Sequence, residues 1–264
     1  MKRSEILESN DQYVSMWKVL AGDRKGADLR DKAGLSVCWA DSPFPFWNAL
    51  FINENISDRD LLRVRLRMSR TYMLAKQHSG LVYVCEDLLS GAAREELDAI
   101  AASENLTFAL DITGMAGDIL PVEAGLPHPV LDFARVDSET ALQAYADINS
   151  EGYGFPLEAG RAGLAGSTFW KKTAFAYIGY LNGQPVSTAA AIVNDGAIYL
   201  ALVATRPDAQ RNGFGEATVR YALNAAYHAT AIRRTILHAT DAGLPVYTRV
   251  GYHRTTVFKT YRPA

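Results

Sequence analysis

The chain has little cysteine, two residues in 264. Cys38 and Cys85 stand alone in apolar surroundings at no metal-ligand or dithiol spacing. That excludes a disulfide scaffold and a zinc ribbon, and predicts buried free thiols in a reducing compartment. No run of about 18 apolar residues occurs, so no membrane span or membrane partner is expected. Residues 1–10 carry no apolar core of a secretory leader, and the expected location is cytoplasmic. Neither sign of charge dominates: the net charge is −2. No nucleic-acid or polyanion partner is therefore expected. Arg63, Arg65, Arg67 and Arg70 form a local cluster without interleaved aromatics. They read as a solvated face, or as partners for acids across a domain boundary. The five histidines, His78, His128, His228, His238 and His253, match no ligand spacing, so no metal is expected. His238, on an apolar strand, reads as a packed side chain. No Gly-x-Ser-x-Gly elbow is present.

What is there is a globular composition, 48% hydrophobic, in a length that suits one large domain or two small ones. One stretch stands out. The alternating apolar run Ala197–Val203 leads through Ala204 and Thr205 into a short polar loop, Gln210-Arg211-Asn212-Gly213-Phe214-Gly215. A helical pattern then starts at once. A strand, a glycine loop and a helix start make a pyrophosphate cradle: the first helical N–H groups lack partners, and the helix dipole favours negative charge there. Glycines admit close backbone approach and dihedrals that a side chain forbids. A P-loop is excluded, since Glu216 and Ala217 stand where Lys and Ser or Thr are needed. A dinucleotide fingerprint fits poorly. Position 218 is Thr, and the next acid after Glu216 is Asp241, beyond the following strand.

Gln210-x-x-Gly213-x-Gly215 after a strand resembles the coenzyme A loop of the GNAT N-acetyltransferases. A second segment, Leu237-His-Ala-Thr-Asp-Ala-Gly-Leu-Pro-Val-Tyr-Thr-Arg-Val-Gly-Tyr252, resembles that family's closing strand and helix, with Tyr247, Gly251 and Tyr252 at the matching places. Together these cover roughly residues 129 to 264.

The pattern along this half predicts strand 130–136, a helix capped by Asp137 or Ser138 that runs to about 150, a loop 152–156 and a partly helical stretch 157–169. Strands 173–181, 185–193 and 197–205 follow, joined at Asn182-Gly183 and Asp195-Gly196. Then come helix 213–229, strand 235–239, helix 244–250 and strand 255–261. The order matches the resembled family. In the N-terminal half, helix 58–77, strand 81–85, helix 93–103 and strand 106–112 read as a degenerate second copy without the glycine loop. Residues 114–129 read as a linker. The expectation is an α/β (α+β) protein with a GNAT-like mixed, mostly antiparallel central sheet flanked by helices. It comprises a divergent N-terminal GNAT-like domain, 1–125, and a C-terminal acetyltransferase domain, 129–264.

The resemblance implies acetyl-CoA as co-substrate and direct acetyl transfer to a primary amine of a small molecule or a peptide. It implies that the backbone of Leu202, Val203 and Ala204 pairs with the pantetheine arm. Gln210, Arg211, Asn212, Gly213, Phe214 and Gly215 would wrap the pyrophosphate. Thr240 falls where relatives carry a cofactor-contacting Asn. Tyr247 matches the general acid near the sulfur, and a phenol of pKa about 10 donates to a thiolate without ionising. Tyr199 is the candidate proton relay. No carboxylate is readable as the base, because residues 173–205 hold one acid, Asp195, in a turn. Tyr153 and Phe155 would face the acceptor, with Glu151 or Glu158 selecting a cationic amine. Glu216 is expected to point to solvent. Two alternatives stay open: a non-catalytic acetyl-CoA sensor, and a transferase of a different acyl group.

Overall fold

The computed structural model describes residues 3–32, 34–118 and 128–264. The chain divides into two compact units. The first is Met1–Met115 with Ala239–Ala242 and Arg254–Ala264; the second is Ala116–His238 with Gly243–His253.

The first unit opens with helix α1 (Arg3–Gly22). Strands β1 (Asp28–Lys32), β2 (Leu35–Trp39) and β3 (Asn48–Ile52) follow. Helix α2 (Arg59–Leu74) precedes β4 (Leu81–Cys85), short helices α3 (Gly91–Glu95) and α4 (Leu97–Ser103), and the long β5 (Leu106–Asp118). Every residue of β2 and β3 is buried, as expected of strands covered on both faces. Helix α2 starts where Asp58 accepts from the Asp60 N–H at 2.8 Å and inserts Leu62, Leu66 and Met73 into the core.

The second unit runs β6 (Leu131–Arg135), α5 (Glu139–Tyr153), α6 (Leu157–Leu164), β7 (Phe175–Leu181), β8 (Gln184–Asn194) and β9 (Ala197–Thr205). Helix α7 (Phe214–Thr230), β10 (Arg234–Ala239) and α8 (Leu244–Val250) follow. Ser138 caps α5 by accepting from the Ala141 N–H at 3.2 Å, and Gly154 ends it at φ 74°. Both hairpin turns carry two left-handed residues, Asn182 and Gly183, then Asp195 and Gly196. These turns match the twist of the strands they join.

The last strand, β11 (His253–Pro263), lies with the first unit from Arg254 onward, where it pairs antiparallel with β4. Strand order is β1-β2-β3-β4-β11-β5 in the first unit and β10-β9-β8-β7-β6 in the second. Neighbours are antiparallel at β1·β2, β2·β3, β6·β7, β7·β8 and β8·β9, and parallel at β3·β4 and β9·β10. The fold is thus the expected α/β type, a mostly antiparallel sheet flanked by helices.

Several local expectations change. Helix α1 and strands β1 to β3 were not legible. Alpha-helix α1 buries Ser9, Asn10 and Gln12 beside its apolar residues, which blurs its periodicity. The helix expected at 93–103 is broken at Glu96. Residues Gly114–Asp118 of the expected linker are strand. Gly114 is there for close packing, since a Cβ would stand 2.3 Å from Ser9 Oγ. Residues 119–127 of that linker lie outside the described residues. Among the described residues no helix is long and apolar enough to cross a membrane. Cys38 and Cys85 are free and buried, and burial pushes the Cys38 thiol up to about 12. Within the arginine cluster of α2, Arg65 pairs with Glu54 and Arg67 with Glu104, both in the first unit.

Candidate functional site

The chemistry-bearing segments of the second unit meet at the end of β9. Strands β9 and β10 pair in parallel through Ile198, Tyr199 and Leu200. Beyond Leu200, β9 continues to Thr205 paired with β8 and, among the described residues, no longer with β10. One edge of residues 201–205 is therefore without a strand partner among the described residues, which suits an extended ligand arm adding itself to a strand edge.

Within that segment the ladder is interrupted. Thr188 pairs with Ala204 but Ala190 with Ala201, so β9 holds one extra residue. Leu202 takes φ 45°, a left-handed conformation costly for a branched side chain. Side chains hold this bulge. Tyr145 Oη donates to the Leu202 carbonyl at 3.0 Å, Thr188 Oγ1 donates to the same oxygen at 3.1 Å, and Tyr153 Oη donates to the Val203 carbonyl at 2.8 Å.

The loop after β9 is shaped as a cradle. Gly213 is the N-cap of α7 at φ 80°, with no side-chain cap. The early N–H groups of α7 are thus left for a ligand. Arg211 also lies in the left-handed region at φ 64°. Asn212 Nδ2 folds back onto the carbonyls of Ala209 and Gln210, both at 3.1 Å, and Gln210 Nε2 donates to Thr205 O at 3.2 Å. These bonds brace the loop from inside. Phe214 is buried and anchors the helix start. A Cβ at Gly215 would stand 2.8 Å from Thr205 Oγ1, so loop and strand end touch there. An exposed anion would fit this arrangement of glycines, bare amides and Arg211. Glu216 does not project freely as expected: Arg220 and Arg249 bind its two oxygens at 2.9 and 2.8 Å. That pairing holds its carboxyl below the ordinary range, against the opposing effect of burial.

Tyr247, on α8, is 8% exposed, and burial raises its phenol well above 10. It stays protonated at neutral pH. Tyr199 is 1% exposed and its hydroxyl lies 2.7 Å from His238 Nδ1, the rings nearly parallel. His238 follows Leu237, the last β10 residue paired with β9. The packed histidine read from sequence is therefore one half of a hydrogen-bonded pair at the point where the strands part. Thr240 directly follows β10 and is partly buried.

Tyr153 and Phe155 stack with centroids 6.4 Å apart, while the Tyr153 hydroxyl is turned to the β9 backbone. Glu151 lies 3.4 Å from Arg206, and Glu158 is exposed. Sequence reading missed Tyr145, Asn149 and Thr188. The available signal was Tyr145, Asn149 and Tyr153 at i, i+4 and i+8, one face of a helix. Among the described residues no cluster of His, Cys, Asp and Glu is arranged for a metal.

Residues 162–260 match the family described as acetyltransferase (GNAT) domain. No curated protein sequence matches the chain. Among solved structures, a GCN5-related N-acetyltransferase from Kribbella flavida is similar over 97% of this chain and 95% of its own, at 17% identity and TM-score 0.69. One from Sphaerobacter thermophilus is similar over 87% and 76%, at 13% identity and TM-score 0.61. A GCN5-related N-acetyltransferase-like protein from Streptococcus suis is similar over 99% of both chains, at 15% identity and TM-score 0.54. At these identities the likeness is one of fold.

Proposed function

We propose that this chain, a member of the GNAT superfamily through its C-terminal acetyltransferase domain, moves an acetyl group from acetyl-CoA directly to a primary amine of a small molecule or peptide. The observation that carries the reading is the conjunction of two features around β9: an opening along its edge after Leu200, and the uncapped, glycine-lined start of α7 immediately beyond. An acyl-CoA needs both, one for its pantetheine arm and one for its pyrophosphate.

In this reading the backbone of Leu202, Val203 and Ala204 lines the arm. Gln210–Gly215 hold the pyrophosphate, and Arg211 adds charge. The amine nitrogen attacks the thioester carbonyl carbon, the C–N bond forms and the C–S bond breaks. The amine proton leaves toward the hydrogen-bonded Tyr199–His238 pair. The departing sulfur takes a proton from Tyr247, which burial keeps protonated beforehand. No nucleophile is needed from the protein. Tyr153 and Phe155 stand at the acceptor side.

The test is calorimetric titration with acetyl-CoA, followed by thiol release with a panel of primary amines. Micromolar binding and amine-dependent release support the reading. Tyr247→Phe should then lower the rate about 100-fold at unchanged acetyl-CoA affinity. Binding without release from any amine would favour the sensor. Absence of binding at millimolar acetyl-CoA would remove the function and leave the fold.

A further inference from the structure

The bulge in β9 is held by more than its strand neighbours, and the donors and acceptors can be counted. Thr188 Oγ1 has one proton and two lone pairs. It accepts from the Ala204 N–H at 3.2 Å and from Asn149 Nδ2 at 3.1 Å. Both lone pairs are thereby used, and the one proton goes to the Leu202 carbonyl, 3.1 Å away. The same carbonyl accepts from Tyr145 Oη at 3.0 Å, so both of its lone pairs are taken. Asn149 Nδ2 also donates to the Tyr145 carbonyl at 2.9 Å, which ties the two donors together. Tyr145, Asn149 and Thr188 are all fully buried. The arrangement is closed to water and specific in direction.

Two consequences follow from elementary peptide geometry. The Leu202–Val203 peptide is planar and trans, so the Val203 N–H points opposite to the Leu202 carbonyl. That carbonyl is fixed on the β8 and α5 side. The Val203 N–H is therefore turned to the other side of β9, where the pairing with β10 has ended. Second, a carbonyl that accepts two hydrogen bonds polarises its peptide and strengthens the N–H at the other end, because hydrogen bonds in a chain reinforce one another. The left-handed Leu202 is the strain this aiming entails, and three buried side chains offset it.

We propose that Tyr145, Thr188 and Asn149 are positioning residues that aim and strengthen the Val203 N–H toward the acyl carbonyl of a bound acyl thioester. They touch neither acyl group nor amine and act through the Leu202–Val203 peptide. The donor is fixed before the ligand arrives, which is the condition under which a hydrogen bond to a developing oxyanion is most effective. The inference rests on the acyl-CoA reading of the same opening.

The probes are acetyl-CoA labelled with carbon-13 at the acetyl carbonyl, and unacetylated CoA. No acceptor amine is needed. Infrared difference spectra should show the carbonyl band of bound acetyl-CoA below its position in solution, and calorimetry should give tighter binding of acetyl-CoA than of CoA. Thr188→Val and Tyr145→Phe should each return the band at least halfway to the solution position and narrow the acetyl-CoA preference, while CoA affinity stays within about twofold. Thr188→Ser keeps the hydroxyl and should keep both signals. A merely structural role would weaken both ligands alike. Should Thr188→Val fail to fold, Tyr145→Phe, which deletes one oxygen, carries the test with Thr188→Ser as its control. An unshifted band in the wild type, or a shift unchanged in both folded variants, overturns the inference while the acyl-CoA reading stands. No acetyl-CoA binding by the wild type removes both.

Discussion

The two units use the same local plan to opposite ends. Each has a parallel strand pair with a helix in the crossover, β3·β4 around α2 and β9·β10 around α7. In the second unit the pair separates after Leu200, and the helix starts on a glycine at φ 80° with no side chain over its amides. In the first unit the pair is sewn shut. The Ile56 N–H donates to Leu88 O, and Ser90 N–H donates to Ile56 O, both at 3.0 Å, which extends the contact past Ile52 and Val84. Its crossover loop, Asn53 to Asp58, holds no glycine, and Asp58 covers the start of α2 with a carboxylate. The difference teaches that a strand-loop-helix order makes an anion site only when the strands part and the helix start is left bare. An acidic cap stabilises the helix by about 1 kcal/mol and by the same act repels a phosphate.

The sharpest way to break the contrast is to give the second loop the cap of the first. Gly213→Asp places a carboxylate where Asp58 sits in α2. Asp tolerates the left-handed region better than most residues, so the fold should persist. Lost amide donors and charge repulsion should together weaken acetyl-CoA binding about 1000-fold, roughly 4 kcal/mol. Calorimetry reads this directly. Affinity within tenfold of the wild type would mean that the pyrophosphate lies elsewhere.

Next in size is a change on the closed side. Ile56 is 1% exposed in the core of the first unit. Ile56→Ala keeps the backbone seam but removes buried volume, at a cost of about 3 kcal/mol, or roughly 10 °C in Tm. Acetyl-CoA affinity of the folded protein should not change. A parallel fall in affinity would show that the closed unit supports the open one.

What could be read from sequence follows the same divide. The glycine loop was legible because its demands are local: Gly213 needs its dihedral and Gly215 its lack of a side chain within a few residues of a clearly alternating strand. The type I′ turns were legible for the same reason. The hydroxyl cluster was not, since Tyr145 meets Leu202 across 57 positions and helical spacing alone does not say what a face will touch. His238 looked like core because its partner, Tyr199, is 39 positions away. In the first unit, buried Ser9, Asn10 and Gln12 hide α1, and β2 and β3 are five-residue segments, apolar but for Ser36 and Asn48, too short to separate strand from helix. The return of β11 to the first unit is a tertiary choice with no local signal.

The smallest effect tests whether the Arg67–Glu104 pair of the first unit concerns stability alone. Arg67 grips Glu104 with two nitrogens, each 2.8 Å from an oxygen, and that bond holds the Glu104 carboxyl below its ordinary 4.5. A carboxyl lowered in the folded state stabilises the fold fully above its unfolded value, and the contribution disappears as pH falls through the folded value. Arg67 is 61% exposed, so solvent screens much of the attraction. Glu104→Gln should lower Tm by about 2 °C at pH 7. The gap from the wild type should narrow below about pH 4.5 and close below the lowered folded value. High salt should shrink it, because an exposed arginine is screened within about 10 Å at 0.1 M. A gap that widens on acidification would mean that Glu104 is held protonated, and the arginine contact would then contribute nothing to stability.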